Sequence, residues 1–183
     1  MKLTIASKIT IARICLIPLF VVFYYLFNEG WQVLLPTLIF TLAALTDWVD
    51  GYLARSRNEV TNFGKFMDPI ADKLLVAAAF VLLVSDGRMN PVSCIIIMSR
   101  EFIISGFRLI AVERKLVIAA GWLGKIKTVT QIIAIILLML NNFPFHYIGI
   151  PMDHIMEAVC VIFTIWSGVD YIVRNRQVLL DGE

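Results

Sequence analysis

Between Asp47 and Asp72 the chain reads DWVDGYLARSRNEVTNFGKFMDPIAD, which sets four aspartates, two arginines and two glycines inside strongly apolar surroundings. Ionised carboxylates at a membrane boundary lose hydration, and one Asp at a helix centre already costs about 2.5–3.5 kcal/mol on lenient insertion scales. Four together demand a counter-charge, most simply divalent metal. Asp47 and Asp50 are three residues apart and Asp68 and Asp72 four, so on helices each pair shares a face and all four can point into one cleft. Carboxylate oxygens without His or Cys select Mg, Mn or Ca over softer metals. Four of them suit two ions about 3.5–4 Å apart, able to clamp the attacking and leaving oxygens of a phosphoryl transfer. Gly51 lets a ligand approach the backbone, Ala54 keeps the same helix side thin one turn later, and Gly64 does so on the facing helix. Arg55 offers a planar fork for a phosphate. The competing reading, solvated loop carboxylates, is disfavoured because the spacing runs on into apolar helix.

The elements that must position these groups follow from composition. Hydrophobic residues make up 60% of the 183 residues, charged residues only 16%, and the mean hydropathy is +0.84. Such a chain is an integral membrane protein with no room for a large soluble domain. Cutting the apolar runs at their polar breaks predicts an all-α fold of six transmembrane helices, near 9–28, 32–55, 63–85, 91–113, 119–140 and 150–173, in one membrane domain over 1–183. The first run is read as a retained span, not a cleaved signal. Lys2, Lys8, Arg55, Arg57, Arg114, Lys115, Arg174 and Arg176 then share one side, which puts both termini and all four aspartates at the cytoplasmic face. Tyr24, Tyr25, Trp31, Trp122, Tyr147 and Tyr171 fall near span ends, as an interfacial belt would. Cys15, Cys94 and Cys160 lie singly, without metal or redox spacing, and are read as packing residues.

The run Asp-Gly, two residues, Ala-Arg, eight residues, Gly, three residues, Asp, three residues, Asp is filled by Asp50, Gly51, Ala54, Arg55, Gly64, Asp68 and Asp72. It resembles the signature of the CDP-alcohol phosphatidyltransferase family, and Asp47 matches the further aspartate that this family carries three residues upstream. The six-span layout is similar to that family along nearly the whole chain. The resemblance implies the CDP-alcohol phosphotransferase fold and an enzyme that moves a phosphatidyl group from CDP-diacylglycerol to an alcohol, releasing CMP. It implies that Asp47, Asp50, Asp68 and Asp72 hold two divalent cations, Mg or Mn, at the pyrophosphate, with Asp72 also the general base. Gly51, Ala54, Arg55 and Gly64 would shape the cytidine nucleotide site. It further implies a homodimer among membrane lipids of a bacterial cell membrane, with its active site facing the cytoplasm and no nucleic-acid partner.

Charges in the fourth and fifth runs bear on the acceptor. Arg100 and Glu101 sit deep in the fourth, and Arg108, seven residues beyond Glu101, lies nearly on the same face, so Glu101 is read as a structural partner. Lys125 and Lys127 open the fifth run with no acid nearby in sequence, which makes an anion their natural partner. Arg100, Arg108, Lys125 and Lys127 could together line a cytoplasm-facing pocket for a doubly charged phosphate. Ser99-Arg-Glu-Phe102 with Gly106 and Arg108, and Leu123-Gly-Lys-Ile-Lys-Thr128 with Gln131, resemble the bacterial phosphatidylglycerophosphate synthase branch of the family, whose acceptor is glycerol 3-phosphate. Thr10 and Arg13 fit that branch at the amino terminus, where Ser7 stands in place of its common Asn. Asp153, Glu157, His146 and His154 are read as interfacial or packing residues, and Asp170 as the partner of a basic side chain.

Two other readings stand beside this one. A transferase of the same family could take inositol phosphate or phosphatidylglycerol as acceptor. A cation transporter would also place carboxylates in membrane helices, but it predicts acids near the midplane and an internal repeat, whereas here the acids gather at one end.

Overall fold

Apolar runs of about twenty residues cut by short polar breaks favour helix, and the computed structural model of the chain is helical wherever the described residues are regular. It describes residues 5–27, 30–57, 62–113 and 121–176. Within these the side chains of 5–11, 13, 47–57, 62–69, 72, 112 and 113 lie outside the description. Six long helices result: α1 (Ile5–Leu26), α2 (Leu34–Arg57), α3 (Asn62–Ser85), α4 (Pro91–Glu113), α5 (Trp122–Met139) and α6 (Met152–Arg174). Single 3₁₀ turns at Gly30–Val33 and Phe145–Ile148 introduce α2 and precede α6. Each predicted span therefore coincides with one helix. Among the described residues α5 and α6 are long and apolar enough to cross a membrane by length and composition.

The chain divides into two compact units, one ending at Ser85 and one starting at Asp86. In the first, α1 packs on both α2 and α3. Phe20, Tyr24 and Phe40 are fully buried at its centre, with ring centroids 6.0 Å apart for Phe20–Tyr24 and 5.8 Å for Phe20–Phe40. Ala71, Leu75 and Ala79 recur at helical spacing and give α3 its buried stripe. Hydroxyls in α2 are satisfied within the helix: Thr37, Thr41 and Thr46 donate to the carbonyls of Val33, Thr37 and Ala43, each at 2.7 Å.

In the second unit α6 packs on both α4 and α5. Ile104, Phe107, Ala111 and Tyr171 form one buried cluster, with the Phe107 and Tyr171 rings edge-to-face at 5.8 Å. Polar groups tie the helix ends at Asn90, Met139 and Met152 together. The Asn90 N–H donates to Glu157 Oε1 at 3.1 Å, Arg88 Nη1 donates to the Met139 carbonyl at 3.0 Å, and the Asn90 side chain caps α4 by accepting the Val92 N–H at 2.8 Å. The corner after α5 needs two left-handed residues in succession, and asparagine fills both: Asn141 at φ 52° and Asn142 at φ 62°. The Asn142 side chain then donates to the Ile150 carbonyl at 2.7 Å and accepts the Asp153 N–H at 3.2 Å. Large apolar side chains including Val92, Ile95, Phe102, Leu109, Ile162, Trp166, Val169 and Val173 face outward.

Candidate active site

Asp47 and Asp50 fall in the last three turns of α2, and Asp68 and Asp72 in the second and third turns of α3. Because the backbone at all four positions is α-helical, the three- and four-residue spacings put each pair on one helix face, as the sequence required. Gly51, Ala54 and Arg55 continue α2 beyond its acidic pair, and Gly64 lies in the first turn of α3. Only positions 58–61 separate the two helices, and α2 and α3 touch. Thr10 and Arg13 are in α1, which packs on both. The side chains of Asp47, Asp50, Asp68, Asp72, Gly51's neighbours Ala54 and Arg55, Thr10 and Arg13 lie outside the described residues. No cluster of His, Cys, Asp and Glu suited to a metal occurs among the side chains that are described. The donor set itself fits hard divalent cations: four carboxylates, in two helix-borne pairs, on adjoining helices of one unit.

A second group of polar residues is built from α4, α5 and α6. Arg100 Nη1 donates to Glu101 Oε1 at 3.2 Å, and the same oxygen takes the ammonium of Lys127. Arg100 Nη2 reaches Ser167 Oγ at 3.2 Å, and Ser167 in turn donates to the Thr164 carbonyl at 3.2 Å. Lys127, Gln131, Thr164 and Ser167 are all buried. Two cations thus share one carboxylate, and the trio keeps a formal charge of +1. Arg100 Nε is buried with no hydrogen-bond partner among the described residues, and an orphaned donor of this kind costs about 1–3 kcal/mol.

Not all four predicted cations join this group. Arg108 lies over the Tyr171 ring, 5.7 Å from its centroid, and Lys125 over the Trp122 ring at 4.8 Å, both exposed. The sequence pointed to an external anion as the partner of Lys127. The structure gives it Glu101, twenty-six residues away, a separation that inspection of neighbouring sequence cannot bridge. The shared face of Glu101 and Arg108 suggests that they pair, whereas Glu101 meets Arg100 and Lys127. Sequence reasoning also missed Ser167 and Gly168; a Ser-Gly step in a helix of bulky residues is the signal that something packs closely there. Asp170 does partner a base, accepting from Arg174 Nε at 2.7 Å. Glu157 is a buried acid that takes the Asn90 N–H and faces His154 Nδ1 at 3.5 Å, a role at a helix end. All three cysteines are free thiols.

The family model for CDP-alcohol phosphatidyltransferase matches residues 3–166. A Bacillus subtilis protein named CDP-diacylglycerol--glycerol-3-phosphate 3-phosphatidyltransferase is 44% identical, with 94% of this chain and 95% of the relative covered. Proteins of the same name from Haemophilus influenzae and Salmonella paratyphi A are 41% and 39% identical, covering 100% and 99% of this chain and 98% and 100% of their own. With the motif's spacing realised on two adjoining helices and likeness running the length of the chain, the chain belongs to the CDP-alcohol phosphatidyltransferase family.

Proposed function

We propose that the chain transfers the phosphatidyl group of CDP-diacylglycerol to glycerol 3-phosphate, giving phosphatidylglycerophosphate and CMP. The observation that carries the reaction is the pairing of Asp47 with Asp50 and of Asp68 with Asp72 on adjoining helices, with Gly51, Ala54, Arg55 and Gly64 beside them. Two divalent cations, Mg or Mn, held by these four carboxylates would neutralise the pyrophosphate and the charge that develops on the leaving CMP. Asp72 accepts the proton of the acceptor hydroxyl as its oxygen attacks the phosphorus that bears diacylglycerol, and the bond from that phosphorus to CMP breaks. Gly51, Ala54 and Gly64 leave room for the cytidine nucleotide, and Arg55 takes a phosphate oxygen.

Arg100 and Lys127, assisted by Arg108 and Lys125, bind the acceptor's phosphate. The residual charge of the Arg100–Glu101–Lys127 trio and the unpartnered Arg100 Nε both favour an acceptor that brings its own negative charge. Thr10 and Arg13 contact substrate from α1. The helices cross the membrane six times as a single domain, with both termini and the aspartates cytoplasmic, and two chains associate as a homodimer in a bacterial cell membrane.

Purified protein supplied with CDP-diacylglycerol, Mg or Mn and glycerol 3-phosphate is expected to release CMP, and Asp72→Asn to lower kcat on the order of 10²–10⁴-fold. Release with inositol phosphate but not with glycerol 3-phosphate would refute the acceptor assignment. Cation flux in liposomes without CMP release from any alcohol would refute the enzyme.

A further inference from the structure

Gly168 on α6 meets Arg100 on α4 more closely than any other described glycine meets a neighbour. A Cβ at Gly168 would stand 3.1 Å from Arg100 Cγ and 3.9 Å from its Nε, whereas the other described glycines have nothing within 4 Å of such an atom. Small residues at membrane helix crossings usually bring two backbones together; this one makes room for the stem of a charged side chain. The preceding residue, Ser167, holds the head of the same side chain by accepting Nη2–H at 3.2 Å. Its hydroxyl proton is committed to the Thr164 carbonyl, so its lone pairs are turned to the guanidinium. Nε and Nη2 lie along one edge of the guanidinium. Stem and head are therefore fixed by two consecutive residues, and that edge keeps one donor, Nε–H, without an acceptor among the described residues.

We propose that Ser167 and Gly168 are positioning residues for the acceptor, setting the Arg100 fork in the orientation that takes the acceptor's phosphate, an inference that rests on Arg100 being a phosphate ligand. At 3.1 Å an added methyl must push the Arg100 stem by a few tenths of an ångström. A misplacement of about 1 Å costs on the order of 10²-fold, so such a shift is worth roughly five- to tenfold. Loss of the Ser167 hydroxyl, one hydrogen bond to a charged group, is worth roughly tenfold or more.

The experiment is steady-state CMP release by the full-length protein in lipid–detergent micelles, with each substrate titrated separately. Gly168→Ala and Ser167→Ala are expected to raise the KM for glycerol 3-phosphate by those factors while leaving kcat and the KM for CDP-diacylglycerol within about twofold. Arg100→Ala should raise the acceptor KM further than either. Adding Gly168→Ala to Arg100→Ala should then change nothing, because the group being positioned is gone. If Arg100→Ala leaves the acceptor KM unchanged, the phosphate-ligand reading itself fails. If Arg100→Ala raises it and the two α6 substitutions do not, the positioning role alone is overturned. A parallel rise in both KM values, or a further rise in the double variant, also overturns it by marking a general packing defect. Should Gly168→Ala fail to fold, Ser167→Ala, which removes an atom and adds none, decides the matter alone.

Discussion

Glu101 is the shared counter-ion of two cations, which makes Glu101→Gln a sharp test of the α4–α5–α6 packing. The Lys127 side chain is 3% exposed, that of Arg100 15% and that of Glu101 20%. Removing one member of a buried ion pair costs about 3–5 kcal/mol, because the remaining charge is left uncompensated. The partial exposure of Glu101 lets solvent screen some of this, so the lower end, about 3 kcal/mol, is expected. Lys127→Met leaves the carboxylate with Arg100 and should cost only about 1–2 kcal/mol. In the double variant the stranded ammonium is gone, so its loss should fall about 1.5–2 kcal/mol short of the sum of the singles, as contacting residues do. Reversible unfolding of the four proteins in mixed micelles, followed by circular dichroism, measures this; at about 2–4 °C per kcal/mol the Glu101→Gln midpoint should drop by roughly 6–12 °C. Single effects that simply add, within about 0.5 kcal/mol, would refute the reasoning.

Two further outcomes are expected. Chelation should abolish CMP release and Mg or Mn restore it, and Asp50→Asn should raise the metal concentration needed for half-maximal rate, measured by titrating metal back into the stripped protein; an unchanged metal requirement would remove Asp50 from the ligand set. Tyr171→Phe should leave stability unchanged or improve it by up to about 1 kcal/mol, because the buried hydroxyl has no partner among the described residues, whereas Tyr171→Leu should lose about 1–2 kcal/mol with the Phe107 edge contact and the Arg108 cation–π contact; equal losses in thermal unfolding would contradict this.

What could be read from the chain depended on how far apart the interacting residues are. Pro91 and the break at Glu113-Arg114 bracket α4 in the sequence, and the helix runs from Pro91 to Glu113. The Asn141-Asn142 break was legible as a turn because asparagine tolerates the left-handed backbone that it adopts there. The apolar pattern starts α2 two residues early because it does not register that Gly30–Val33 tightens to a 3₁₀ turn. The aspartate pairs were legible because three- and four-residue spacing is itself the geometry. The Lys127–Glu101 pair and the seat of Arg100 on Gly168 were not, since each depends on which faces of two helices meet. Periodicity gives each helix a buried side without naming the residue opposite.

The hydrogen bonds at the Asn90 end of the second unit also bear on how it moves. Asn90 with Glu157, Arg88 with Met139, and Asn142 with Ile150 and Asp153 lash the three helices together at that end, and the Arg100–Glu101–Lys127 trio with Ser167 ties them a second time further along. Splaying of α4, α5 and α6 about that end, like tongs about their joint, therefore has to part the charged trio. Lys127 lies twelve residues from Met139, about 18 Å along α5, so a tilt of about 5° displaces it by roughly 1.5 Å. A small angular change at a pinned corner is enough to part Lys127 from Glu101, without unfolding a turn of any helix.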